Sequence, residues 1–168
     1  TWDLGPESIA ALERDGEAQL FELVHKGARD GFQFLFDSVR VADEPSERTA
    51  RGLLVDRLVD VLNEPDNLAL FRQVTGAEDI ARVDGQATRY LPGHFLTGHD
   101  DAIDGKGRIA AYVINLTPHW RTEWGGLLQF HDAFGDVTHA LKPAWNAIHI
   151  FRKQGKGTKL RSIDMIFK

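Results

Sequence analysis

His99 and Asp101 stand two residues apart at the end of the stretch RYLPGHFLTGHDD, residues 89–101. Residues at i and i+2 share one face of an extended strand. Where a strand runs into a loop, both side chains can turn toward one ion. The neutral imidazole offers a nitrogen and the carboxylate an anionic oxygen. With a second His they make the two-His, one-carboxylate facial set of non-haem Fe(II) sites, which leaves coordination positions open. Alone, the pair is a weak signal, because an ordinary polar turn holds the same residue types.

The elements around the pair divide the chain in two. In ESIAALERDGEAQLFELVHKGA, residues 7–28, Ile9, Leu12, Leu20, Leu23 and Val24 fall at helical spacing, with Gly16 weakening the middle. GFQFLFDSVRV, residues 31–41, is aromatic and reads as a strand or a buried segment. DEPSERTA, residues 43–50, has turn and cap chemistry before a helix carrying Leu53, Leu54, Leu58, Val59, Val61 and Leu62. Pro65 opens a further helix that Gly76 stops. From about residue 79 the segments become short, β-branched and aromatic. Strands are predicted near 80–90, 93–98, 108–117, 126–132, 136–142, 146–152 and 159–167. A helical block followed by seven short strands is α+β, with a β-sandwich or barrel as the main body. His99-x-Asp101 then falls just after the second of these strands.

Composition narrows the function classes. The 168 residues are 42% hydrophobic and 27% charged with a formal net charge of −5, ordinary for one globular domain with its own core. No basic stripe stands out, so nucleic acid is not an expected partner. There is no cysteine, which removes disulfides, thiolate zinc sites and cysteine nucleophiles. No apolar run reaches the ~18 residues of a transmembrane helix, and no signal segment opens the chain. A membrane is therefore not an expected partner, and the expected location is cytoplasmic. The first residue is Thr rather than Met, which suggests a trimmed start.

The neighbours of the pair give it weight. Arg89-Tyr90-Leu91-Pro92-Gly93-His94-Phe95-Leu96 precedes it, Ala111-Tyr112-Val113-Ile114-Asn115-Leu116 follows, and Trp124-Gly125-Gly126-Leu127-Leu128-Gln129-Phe130 and LKPAWNAIHIF (141–151) come next. This order resembles the iron(II)/2-oxoglutarate-dependent dioxygenase superfamily, in its prolyl 4-hydroxylase-like branch, over about residues 84–167. The resemblance implies a double-stranded β-helix (jelly-roll) core with the N-terminal helical block packed on one sheet. It implies a single domain, 1–168, in which 1–78 is mainly helical support and 79–168 the jelly-roll catalytic core. His99 and Asp101 become metal ligands for Fe(II). Arg161 becomes the clamp for the far carboxylate of 2-oxoglutarate, with Lys159 as the alternative register. A planar guanidinium suits a carboxylate through two parallel hydrogen bonds. Tyr90 resembles the family tyrosine whose hydroxyl reaches the cosubstrate, and is otherwise a core aromatic. The implied partners are 2-oxoglutarate and O2, with ascorbate as a candidate accessory cofactor and a protein or peptide as candidate substrate.

The same resemblance locates a gap. The family places its distal metal His after the strand of Phe151, yet FRKQGKGTKLRSIDMIF contains no His. Three explanations compete: a loop is missing between two joined segments, the protein is a metal-deficient descendant, or a displaced His substitutes. A missing loop is favoured. His149 and His139 are the nearest candidates for substitution, though neither sits at the motif position. His94 and His131 read as strand-flanking residues, His119 as part of a hairpin loop, Trp120 and Trp124 as packing residues, and Gly125-Gly126 as a tight strand entry. Two functions follow: an Fe(II)- and 2-oxoglutarate-dependent dioxygenase acting on a C–H bond, with a peptidyl proline as the suggested target, or a non-catalytic jelly-roll binding module without the distal His.

Overall fold

The structure, a computed structural model, describes residues 6–99, 107–152 and 164–165. The first helical stretch is two helices, α1 (Pro6–Asp15) and α2 (Glu17–Gly27). Gly16 breaks them with φ 80°, a left-handed value that costs glycine little because it has no Cβ. Three more helices follow: α3 (Pro45–Arg51), α4 (Leu54–Leu62) and α5 (Pro65–Thr75). Pro45 and Pro65 open α3 and α5, where a missing N–H is harmless. Gly52 and Gly76 close α3 and α5 in the left-handed conformation.

The segment 31–41 is strand, as β1 (Phe34–Leu35) and β2 (Asp37–Arg40). The strands from the second half are β3 (Gln86–Arg89), β4 (Phe95–Leu96), β5 (Ala110–Asn115), β6 (Leu128–His131), β7 (Val137–Leu141), β8 (Ala147–Arg152) and β9 (Asp164–Met165). Each predicted strand from residue 79 onward thus has a counterpart, shorter than expected wherever its whole predicted span is described. The first, near 80–90, is reduced to Gln86–Arg89 for a specific reason. Asn63 at the end of α4 donates to the Val83 carbonyl at 2.7 Å and accepts from the Val83 N–H at 2.9 Å. Arg72 donates to the Ile80 carbonyl at 2.9 Å. Side chains of the helical block take these backbone groups, so Ile80 and Val83 are tied to the helices rather than to a ladder.

Among the described residues all pairings are antiparallel. Among the described residues the strands form four small sheets, β1–β4–β9, β2–β3, β5–β8 and β6–β7, rather than two continuous facing sheets. In β5–β8, Tyr112 stands opposite Ile150 and Ala111 opposite Phe151. Alternation puts these two pairs on opposite faces. Tyr112 and Ile150 pack against buried Phe71, Ala77 and Ile80, the core between α5 and this sheet. Arg152, on the same face as Ile150, donates to the Thr75 and Gly76 carbonyls at 3.3 Å, a cation at the negative end of α5. On the other face Phe151 meets Phe130 of β6, ring centroids 5.2 Å apart. Helix, β5–β8 and β6–β7 are therefore successive layers. Asp56 of α4 is fully buried, paired with Arg51 at 3.2 Å.

The third layer contact involves α2. Leu35 and Phe95 are register partners and both are buried. Phe95 also meets the His25 ring of α2 at 4.9 Å. One face of β1–β4 is thus covered by α2. Phe34, on the other face, is 42% exposed.

Candidate active site

His99 lies three residues beyond β4, half-buried. Its Nδ1 is 3.0 Å from the Thr97 carbonyl. A carbonyl only accepts, so Nδ1 is the donor in this contact. A backbone carbonyl on one ring nitrogen is a usual support of a ligating histidine, fixing its tautomer and ring orientation. Thr97 is itself held by the chain entering β1. Its N–H and its hydroxyl both donate to the Gln33 carbonyl at 3.0 Å, and its Oγ1 accepts from the Gln33 N–H at 2.8 Å.

Sequence reading missed an aromatic row beside this histidine. The His99 ring is 5.7 Å from Phe32, Phe32 is 5.8 Å from Phe34, Phe34 is 5.2 Å from Phe36, and Phe36 is 5.2 Å from Tyr90. Two of the predicted site residues, His99 and Tyr90, therefore terminate one continuous row of rings. The signal was present in GFQFLF: phenylalanines at 32, 34 and 36 alternate with period two and so share a face. The row lies on the β1 face that α2 leaves open.

Asp101, Arg161 and Lys159 lie outside the described residues. Among the described residues no three His, Asp, Glu or Cys side chains form a cluster able to hold a metal. His149 sits on β8 opposite Val113, on the face turned away from α5, and its buried Nε2 has no hydrogen-bond partner among the described residues. His139 sits on β7 opposite Phe130. His94 and His131 are both buried, and His131 Nδ1 lies 2.8 Å from the Gly135 carbonyl at the β6–β7 turn. Trp120 and Trp124 pack edge to face at 5.5 Å, and Trp120 donates to the Gly125 carbonyl at 2.8 Å, so this pair closes its own loop. The donor chemistry of His99 fits an Fe(II) ligand, and Asp101 follows it at the spacing of the facial set.

Residues 85–165 match the family model of the 2OG-Fe(II) oxygenase superfamily, a span that includes Tyr90, His99, Asp101 and Arg161. Over this span the chain is similar to that superfamily. In fold it is similar to a crystal structure of a Pseudomonas putida prolyl-4-hydroxylase, with a TM-score of 0.51 and 16% identity over 95% of this chain and 90% of that chain. No curated protein matches the chain. Among the described residues no helix is long and apolar enough to cross a membrane.

Proposed function

We propose that the protein is an Fe(II)- and 2-oxoglutarate-dependent dioxygenase that hydroxylates a C–H bond. The observation that carries this reading is the His99 arrangement within the matched span: Nδ1 bound to the Thr97 carbonyl, two residues before Asp101. His99 Nε2 and Asp101 would hold the metal. When bound, the metal would activate O2, one oxygen atom going to 2-oxoglutarate as it becomes succinate and CO2 and the other to the substrate C–H as a hydroxyl. Arg161, or Lys159 in the alternative register, would bind the far carboxylate of 2-oxoglutarate and so fix its orientation. Tyr90 and the Phe36–Phe34–Phe32 row would wall the approach to His99 and exclude water there. A peptidyl proline is the suggested substrate, since the similar solved structure is called a prolyl-4-hydroxylase. That step rests on fold similarity. Ascorbate is a candidate accessory reductant. The reading includes a single domain, 1–168, with a jelly-roll core at 79–168 supported by 1–78, and a cytoplasmic location.

A second reading, a jelly-roll binding module without catalysis, has its own support. No His follows Phe151 in the sequence, and no three-ligand cluster forms among the described residues. Succinate release measured with and without Fe(II) and 2-oxoglutarate separates the two. Release that requires both agrees with the oxygenase. No release at saturating Fe(II), with 2-oxoglutarate still bound, assigns the chain to the binding module.

A further inference from the structure

We infer that Thr97 is a positioning residue for His99, acting through a hydroxyl clamp on Gln33. The inference rests on the reading of His99 as a metal ligand. The register of β1 and β4 pairs Phe34 with Leu96, so Gln33 and Thr97 occupy the next rung beyond both strands. A rung past the end of a ladder is free to fray. Here it is reinforced by a side chain. Thr97 Oγ1 receives the Gln33 N–H at 2.8 Å and donates to the Gln33 carbonyl at 3.0 Å, beside the backbone bond from Thr97 N–H to that same carbonyl at 3.0 Å. Three hydrogen bonds to Gln33 thus hold both the N–H and the side chain of Thr97. Its carbonyl, on the far side of the residue, is the acceptor for His99 Nδ1 at 3.0 Å. Phe32, the residue before Gln33, sets its ring 5.7 Å from the imidazole. The segment 32–33 therefore holds His99 twice: by ring packing, and through Thr97 by tautomer.

The chemical consequence concerns which nitrogen bears the proton. Free neutral imidazole populates both tautomers, and only the form protonated at Nδ1 offers Nε2 to a cation. A fixed carbonyl under Nδ1 selects that form before any metal arrives. Loosening the carbonyl spreads the population over both tautomers and over ring orientations. Partners that anchor a ligating histidine in this way typically change metal affinity by roughly 10–100-fold when removed.

The test uses the full chain with Thr97→Val, which keeps the shape and removes both hydroxyl bonds, and Thr97→Ser, which restores them. Side-chain ¹⁵N shifts of the metal-free protein at pH 8 read the tautomer, with the His99 signal assigned from its loss in His99→Ala. Mn(II) alone, followed by the loss of its free-ion EPR signal, reads affinity without turnover. The wild type and Thr97→Ser are expected to show the Nδ1-protonated form, and Thr97→Val a mixture with Mn(II) binding weakened by roughly 10–100-fold. If Thr97→Val does not fold, Thr97→Ala is measured in its place with the same expectation. A pure Nδ1 tautomer with wild-type Mn(II) affinity in the hydroxyl-free variant overturns the inference, as does a mixed tautomer with unchanged Mn(II) affinity. Undiminished Mn(II) binding in His99→Ala overturns the ligand reading instead, so the two failures are told apart.

Discussion

Phe130 on β6 and Phe151 on β8 meet edge to face, with ring centroids 5.2 Å apart and planes at 76°. This contact joins the β6–β7 pair to the face of β5–β8 that turns away from α5. An edge-to-face pair adds about 0.5–1.5 kcal/mol beyond the apolar area it covers. It is the point where the short ladders become layers.

Phe151→Ala is therefore expected to destabilise the fold by about 2–3 kcal/mol, below the usual range for a fully buried Phe because Phe151 is half-buried. Phe151→Leu should cost about 1 kcal/mol, since it keeps most of the volume and loses the ring contact. Urea unfolding checks this. The midpoint should fall with an unchanged slope. A midpoint within error of wild type for Phe151→Ala would mean that the two strand pairs do not depend on one another.

Tyr112 gives the fold a pH dependence at the alkaline end. Its hydroxyl donates to the Asp84 carbonyl oxygen at 2.9 Å, and its ring packs on Phe71 at 5.8 Å. Burial, and after it the nearby Asp84 charge, pushes the phenol up to about 12. In the unfolded chain it titrates near about 10. The folded state therefore holds the proton more tightly. The stability this gives is fully present below about pH 10. It is lost as the pH rises from there through about 12. Tyr112→Phe should be less stable by about 0.5–1.5 kcal/mol at neutral pH through the lost hydrogen bond. The gap between the variant and wild type should close above about pH 10. A gap that stays constant to the alkaline limit would contradict the assignment.

How far the sequence specifies these features depends on the distance over which each is built. Gly16, Pro45, Pro65 and Gly76 act on their own backbone, and each appears in the structure as the break, start or stop that its residue type implies. The strand near 80–90 came out shorter because its first half is bonded by Asn63 and Arg72, residues eight to twenty positions earlier. Local periodicity carries no trace of such partners. The His99-x-Asp101 spacing was legible, but the support of His99 was not, because Thr97 and Gln33 are separated by 64 positions. Phe32, Phe34 and Phe36 showed their shared face by alternation. That Tyr90 and His99 lie at the two ends of their row depends on strand pairing, which alternation does not encode. The Asp101, Arg161 and Lys159 assignments lie outside the described residues and stand on the resemblance.

Metal binding tests the pair directly. His99→Ala removes the nitrogen ligand and Asp101→Ala the anionic one, so each is expected to abolish Fe(II)-dependent turnover and to weaken Fe(II) binding, measured anaerobically. If His99 and Asp101 are the sole protein ligands, they hold a divalent ion weakly, so wild-type affinity should be low without 2-oxoglutarate and should tighten when it is added. Linkage requires the reverse as well: Fe(II) should tighten 2-oxoglutarate by the same factor. Wild-type turnover and affinity in both alanine variants would remove His99-x-Asp101 from the site.

The cosubstrate clamp is the assignment on which the mechanism turns, and it has two registers. Arg161 offers two parallel N–H donors to a carboxylate, and Lys159 offers a point charge on a flexible stem. Charge-assisted hydrogen bonds contribute about 1.5–3 kcal/mol each. If Arg161 is the clamp, Arg161→Ala should weaken 2-oxoglutarate by roughly tenfold to a few hundredfold, at about 1.4 kcal/mol per decade. Fe(II) binding in the absence of 2-oxoglutarate should stay near wild type, since Arg161 is not a ligand. Arg161→Lys should recover only part of the loss, because an ammonium lacks the planar fork. If Lys159 is the clamp, the same pattern moves to Lys159→Ala and Arg161→Ala becomes silent. Calorimetric titration of 2-oxoglutarate into both alanine variants with Mn(II) present decides between the registers. Wild-type affinity in both variants would mean that neither cation reads the far carboxylate. The cosubstrate assignment would then fail, and the binding module, which needs no 2-oxoglutarate clamp, would become the better account of the chain.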